Sequence, residues 1–141
     1  MPSRRRSRER ALQILFLWDA RRQSAADAIK AYYDTLYAEE CPRREPFVDE
    51  LVTGAVEHVA EADEHIARHA EHWRVERMPA VDRNIFRLAF YEMRYAGTPA
   101  AIVIDEALEL ARKFSTEESV QFINAVLDAI HRETARTEAG H

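Results

Sequence analysis

Glycine is nearly missing from this chain: three residues in 141, at Gly54, Gly97 and Gly140. A Gly-rich phosphate cradle cannot be assembled from them, which excludes P-loop and dinucleotide-fold enzymes. Cysteine occurs once, as Cys41, so the chain forms no intrachain disulfide and no thiolate cluster for zinc. Cys41 stands beside Pro42 in a predicted loop, and a reactive thiol there would need an adjacent base or cation whose position the sequence does not fix. No apolar run approaches the roughly 18 residues that a membrane span needs, so no membrane association is expected. Lysine is reduced to Lys30 and Lys113; the remaining 18 cations are arginines, whose planar fork grips phosphate bidentately and stacks on bases.

What is present is a 47% apolar, 32% charged mixture over one domain's length, with abundant Ala and only five prolines. That composition leans towards an all-α globular fold. The net charge of -5 conceals an asymmetry. Residues 1–22 carry seven arginines against Glu9 and Asp19, a balance of +5, whereas the rest carries 13 basic against 23 acidic residues, a balance of -10. A basic arm on an acidic body suits a polyanionic partner at one restricted site and leaves surface for a basic protein. The arm does not read as a targeting signal. Gln13 and Asp19 interrupt the apolar stretch that a secretory signal requires, and Glu9 is foreign to a mitochondrial presequence. The reading is cytoplasmic.

Hydrophobic spacing predicts six or seven helices with short connections. Ala11, Ile14, Leu15 and Trp18 mark the first, whose N-terminal turn is too charged to pack. Ser24 to Asp27 reads as a capping box before Ile29, Tyr32, Tyr33, Leu36 and Tyr37. After Pro42 and Pro46, a long helix runs from Phe47 to Trp73, with a bend or split near Glu71. The period resumes at Val81 after Met78-Pro79 and stops at Gly97, which suits the residue past a helix end. Ile102 to Ala111 continues at helical rather than strand spacing. Ser115-Thr116-Glu117-Glu118 opens a last helix, and from Glu133 the tail (133–141) loses its period and frays. The helices fall into two three-helix subbundles sharing one core.

Candidate chemistry is sparse. His58, His65, His69 and His72 share a helix, three of them at i, i+4, i+7 spacing, but no HExxH or Glu-x-x-His motif accompanies them. They read as a solvated face, with no metal and no cofactor implied. The paired carboxylates sit at helix starts or on charged faces rather than across a cleft, and no nucleophile elbow exists, so no enzyme is expected. Trp18, Tyr32, Tyr33, Trp73, Phe86 and Tyr91 read as core. The distinctive feature is the run of Arg4, Arg5, Arg6, Arg8 and Arg10, five arginines in seven residues, which suits RNA phosphates and unstacked bases.

Those arginines also open a resemblance. Arg4 to Gln13 running to Trp18-Asp19, Phe47 to Gly54, Val81 to Ala89 with Tyr91-Glu92, Val103 to Phe114, Thr116 to Ser119 and Phe122 to Asp128 together resemble the NusB transcription antitermination factors across about residues 4–130. The resemblance implies an all-helical fold that binds rather than catalyses. NusB-like proteins pair with NusE, a small-subunit ribosomal protein, on boxA-type single-stranded RNA of nascent ribosomal-RNA transcripts. That complex joins the RNA polymerase elongation complex with other Nus factors. By position, Arg4, Arg5, Arg6, Arg8 and Arg10 match the arginine-rich RNA-binding motif, Phe16 an aromatic position beside the RNA, and Glu118, Gln121 and Phe122 a second stretch near it. Arg77, Asp82 and Arg83 match the side that meets NusE. Some family members form a homodimer that could store the RNA face. Three positions depart from the pattern: Ser115 and Ala125 stand where Gly is usual, and Asp105 where Asn is frequent. If four or five arginines each neutralised a phosphate, log affinity would fall with log salt with a slope of roughly -3.

Overall fold

The structure is a computed structural model that describes residues 3–36, 43–71 and 73–139. Cys41, Pro42, Tyr37 and His72 lie outside the described residues. Among the described residues there are seven α-helices and no strand: α1 (Arg4–Arg21), α2 (Ala25–Ala31), α3 (Pro46–Glu57), α4 (Val59–His69), α5 (Ala80–Arg94), α6 (Ala100–Phe114) and α7 (Glu117–Ala139). One π-helical turn, Tyr32–Leu36, extends α2, and one 3-10 turn, Val75–Arg77, precedes α5. The first bundle is α1, α2 and α3, and the second is α5, α6 and α7, with α4 packed on α5 and α7. Helix α5 also packs on α1 and α3, so a single apolar cluster runs through both halves. Ala11, Ile14, Leu15, Leu51, Val52, Ile85, Phe86, Ile123 and Leu127 are fully buried in it. None of the described helices is long and apolar enough to cross a membrane.

Sequence chemistry explains most boundaries. Ser3 and Ser24 cap α1 and α2 by accepting from the backbone N–H three residues on, Arg6 and Asp27. Pro46 opens α3 at the position where its missing N–H costs nothing. Gly97 takes φ +75 beyond the end of α5, as a left-handed turn there requires. The last cap is shifted by one residue from the predicted box: Thr116, not Ser115, accepts from the Ser119 N–H. Ser115 sits at φ -132 in ordinary extended backbone, so the usual glycine is not needed here.

Two boundaries differ from the periodicity. The break expected near Glu71 falls at Ala70, where α4 ends, while the long third helix divides additionally at His58, whose φ -106 and ψ 18 break the ladder between α3 and α4. Apolar residues continue across the break, which hides it from pattern reading. Helix α7 continues to Ala139, past Glu133. Glu133 accepts from Arg68 at 2.7 Å and meets His69 Nε2 at 2.5 Å, so contacts to α4 hold the polar stretch that periodicity leaves loose. The His69 hydrogen bond, helped by Arg68, keeps the Glu133 carboxyl below its ordinary range against the opposing effect of burial.

His58 and His65 act in packing rather than as a solvated face. His58 stacks on Tyr95 at 3.8 Å between ring centroids, and His65 meets Phe90 at 5.2 Å. Among the described residues no group of three His, Cys, Asp or Glu is arranged to hold a metal ion.

Candidate nucleic-acid interface

Helix α1 carries the arginine run in its first two turns, and the helix is fully formed there. Its buried stripe of Ala11, Leu12, Ile14 and Leu15 extends back through Ser7 and Arg8. The N-terminal turn predicted to stay out of the packing is therefore part of it, held by ion pairs rather than by apolar contacts. Arg8 is 7% exposed and forms a bidentate pair with Glu92 of α5, both bonds 2.8 Å. The Glu92 hydrogen bond raises the Arg8 pKa further, against the opposing effect of burial. Arg10 binds Glu45 just before α3, and Glu45 also accepts from the Ser7 hydroxyl at 2.6 Å. Arg4 lies over the Phe47 ring at 3.8 Å, a cation–π contact facing α3.

The other arginines face solvent. Arg5 makes two 3.1 Å bonds to Glu106 of α6 yet keeps 58% of its side chain exposed. No side-chain partner is found for the exposed Arg6 among the described residues. With Glu9, Arg10, Gln13, Lys113 and Phe114, they line an open groove of about 430 Å³ between α1 and the end of α6. Two turns beyond Glu9 on the same helical face stands Phe16, 44% exposed.

Phe114 is shared with a second groove of about 590 Å³, lined also by Trp73, Met78, Pro79, Val81, Glu118 and Phe122. Trp73 is 54% exposed rather than core, with its ring 6.3 Å from that of Phe122. Phe122 rests edge-on against the buried Phe86 at 5.7 Å. Glu118 and Gln121 are exposed on the first turns of α7. Of the sequence-predicted RNA residues, Arg5, Arg6 and Arg10 line the first groove and Glu118 and Phe122 the second, the two meeting at Phe114. Arg4 and Arg8 turn instead to Phe47 and Glu92, and Phe16 and Gln121 line neither groove.

The three positions matched to a protein partner separate. Asp82 is 3% exposed, and its carboxylate accepts from the hydroxyls of Ser115 at 2.6 Å and Ser119 at 2.7 Å. It fixes the α6–α7 junction from below the second groove. Arg83 bonds Asp19 at 2.6 Å and the carbonyls of Glu76 and Met78 at 3.3 Å. Arg77 is exposed on the 3-10 turn. Asp19 also accepts from Asn84 at 3.0 Å and lies 3.3 Å from Arg87. Burial works to raise its pKa, but the hydrogen bonds from Arg83 and Asn84, with the charges of Arg87 and Arg83, hold it below the usual carboxylate range.

Sequence reasoning missed Lys113, Phe114 and the carboxylates Glu45, Glu92 and Glu106 that sort the arginines. Each pairing joins residues far apart in the chain, so no local spacing could reveal it.

These features define a class: an all-α protein of two fused helical bundles whose first helix presents a basic groove. More specifically, the chain belongs to the NusB family, which it matches over residues 5–132. It is 70% identical over 139 residues to the transcription antitermination protein NusB of Solibacter usitatus (strain Ellin6076), covering 99% of this chain and 95% of that one. Its fold matches that of T. maritima NusB, with a TM-score of 0.77 at 31% identity, over 94% of this chain and 92% of the other. It also matches a chain in the crystal structure of antitermination factors NusB and NusE in complex with dsRNA, with a TM-score of 0.80 at 26% identity, covering 92% and 96% of the two chains.

Proposed function

We propose that this chain is a transcription antitermination factor that binds boxA-type RNA of nascent ribosomal-RNA transcripts jointly with NusE, and so helps RNA polymerase, with other Nus factors, to read through terminators. The observation that carries this reading is the solvent-facing set of Arg5, Arg6 and Phe16 on a preformed helix, in a chain of this family. A preformed arginine face offers phosphate contacts with little ordering cost, while Phe16 offers a ring on which an unpaired base can stack. Glu118 and Phe122 line the neighbouring groove, Gln121 is exposed beside them on α7, and all three contact bases or the partner. Arg77 offers an exposed cation to the partner, and Asp82 and Arg83 shape the surface from beneath. The protein works as an adaptor in the cytoplasm and not as an enzyme; a scaffold of ion pairs and apolar grooves serves recognition. The acidic remainder of the chain favours rapid encounter with a basic ribosomal protein.

Fluorescence anisotropy of a labelled boxA-type RNA, with and without NusE, tests the reading. Binding is expected to tighten and become boxA-selective when NusE is added, and to weaken at least tenfold in the Arg5→Ala, Arg6→Ala double variant. Equal, NusE-independent binding of any RNA would overturn it.

A further inference from the structure

The groove between α1 and α6 contains one cation that does not belong to the arginine run. Lys113, in the last turn of α6, donates to Glu9 at 2.9 Å and keeps 56% of its side chain exposed. It faces the groove from the wall opposite Arg5 and Arg6. The last turn of a helix presents the negative end of its dipole, and Glu9 adds a carboxylate; Lys113 is the α6 cation that offsets them inside the groove, Arg112 of the same turn lying outside its lining.

Exposure separates the cations in and beneath the groove into two kinds. Arg8 and Arg10 hold carboxylates with only 8% and 12% of their own side chains exposed, so neither guanidinium is presented to a strand, and releasing Arg8 would strand the buried Glu92. Arg5 and Lys113 hold theirs at the solvent boundary, where ion pairs exchange readily with water and with other anions. We propose that Lys113 is an RNA phosphate contact, released from Glu9 when the strand enters, and that RNA is clamped between α1 and the end of α6 rather than lying along α1 alone. Glu9 holds the lysine in place before binding and sets a threshold against weak polyanions. The inference rests on the RNA-binding reading above and adds the second wall of its site. Three releasable cations, Arg5, Arg6 and Lys113, then give a salt slope of roughly -2, shallower than the -3 expected from the whole run.

The test is a salt series of boxA-type RNA binding with the full chain and NusE, for wild type, Lys113→Ala, Lys113→Arg and Glu9→Gln. Lys113→Ala is expected to weaken binding by roughly fivefold and to flatten the slope by about 0.7, the value of one single-strand phosphate contact. Lys113→Arg is expected to restore both, since an arginine reaches the same groove. Glu9→Gln, which frees Lys113 without removing it, is expected to tighten binding about threefold, an order-of-magnitude value for losing one like charge near the phosphate. A merely structural Lys113 would leave the slope at its wild-type value, and that result overturns the inference while leaving the RNA reading intact. Unchanged or weaker binding by Glu9→Gln overturns the exchange. Absence of RNA binding by the wild type overturns both.

Discussion

Five arginines within seven residues have unequal surroundings, and their carboxylate partners make the difference. Arg8 and Glu92 are both nearly buried, and removing the guanidinium leaves a carboxylate with 2% exposure beside Thr98, whose hydroxyl is 3.3 Å away. Arg8→Ala is therefore expected to cost about 3–5 kcal/mol of stability, the usual penalty for breaking a buried pair. Arg6→Ala, on an exposed side chain, is expected to leave stability within about 0.5 kcal/mol while weakening RNA binding. Urea denaturation of both variants, set beside their RNA affinities, checks this division; equal stability losses would contradict it. No linear motif distinguishes these residues. The positions of Glu45, Glu92 and Glu106 in the fold do.

At the level of helices, the site depends on how α1 is fastened at its two ends. Its N-terminal half is tied to α5 by Arg8–Glu92 and to α6 by Arg5–Glu106. Its C-terminal end is tied to α5 by Asp19 through Arg83, Asn84 and Arg87. Asp19 lies near the negative end of the α1 dipole, an unfavourable place that these donors offset. Because its folded pKa is depressed, the stabilisation it contributes is present above its unfolded value of about 4 and is lost as pH falls through the lower folded value. Asp19→Asn should therefore reduce stability at pH 7, by about 1–3 kcal/mol, and the gap from wild type should close as pH falls below about 4. Thermal denaturation across pH 2.5–7 measures it, in steps of about half a unit. A gap independent of pH would show that the charge of Asp19 plays no part.

Across the whole molecule, much was legible in the sequence. Capping serines, Gly97 and the period of apolar residues carry the all-α architecture and most helix limits, because each is a local cause of local structure. The break at His58 was not, since apolar residues run straight through it, and neither was the helical course of α7 beyond Glu133, which rests on contacts with α4. At the site, the arginine run and Phe16 were visible as residue types, but the inward turn of Arg8, the exposure of Trp73 and the role of Lys113 depend on long-range packing. Gly54 is a further case. A Cβ built on it would lie 2.1 Å from the Tyr91 ring, so α3 and α5 approach as closely as they do only because that position has no side chain. Gly54→Ala is expected to push these helices apart and cost about 1–3 kcal/mol, read as a lower Tm; an unchanged Tm would mean the ring yields freely.

Helix α1 is at once a wall of the core and the bearer of the basic groove, and this double duty has a physiological consequence. A lesion such as Gly54→Ala, which touches no RNA-facing residue, removes stability from the same packing that holds the arginines in position. Such lesions should be heat-sensitive, binding RNA in the cool and losing it when warmed, and a screen for temperature-dependent loss of binding should return core positions alongside groove positions.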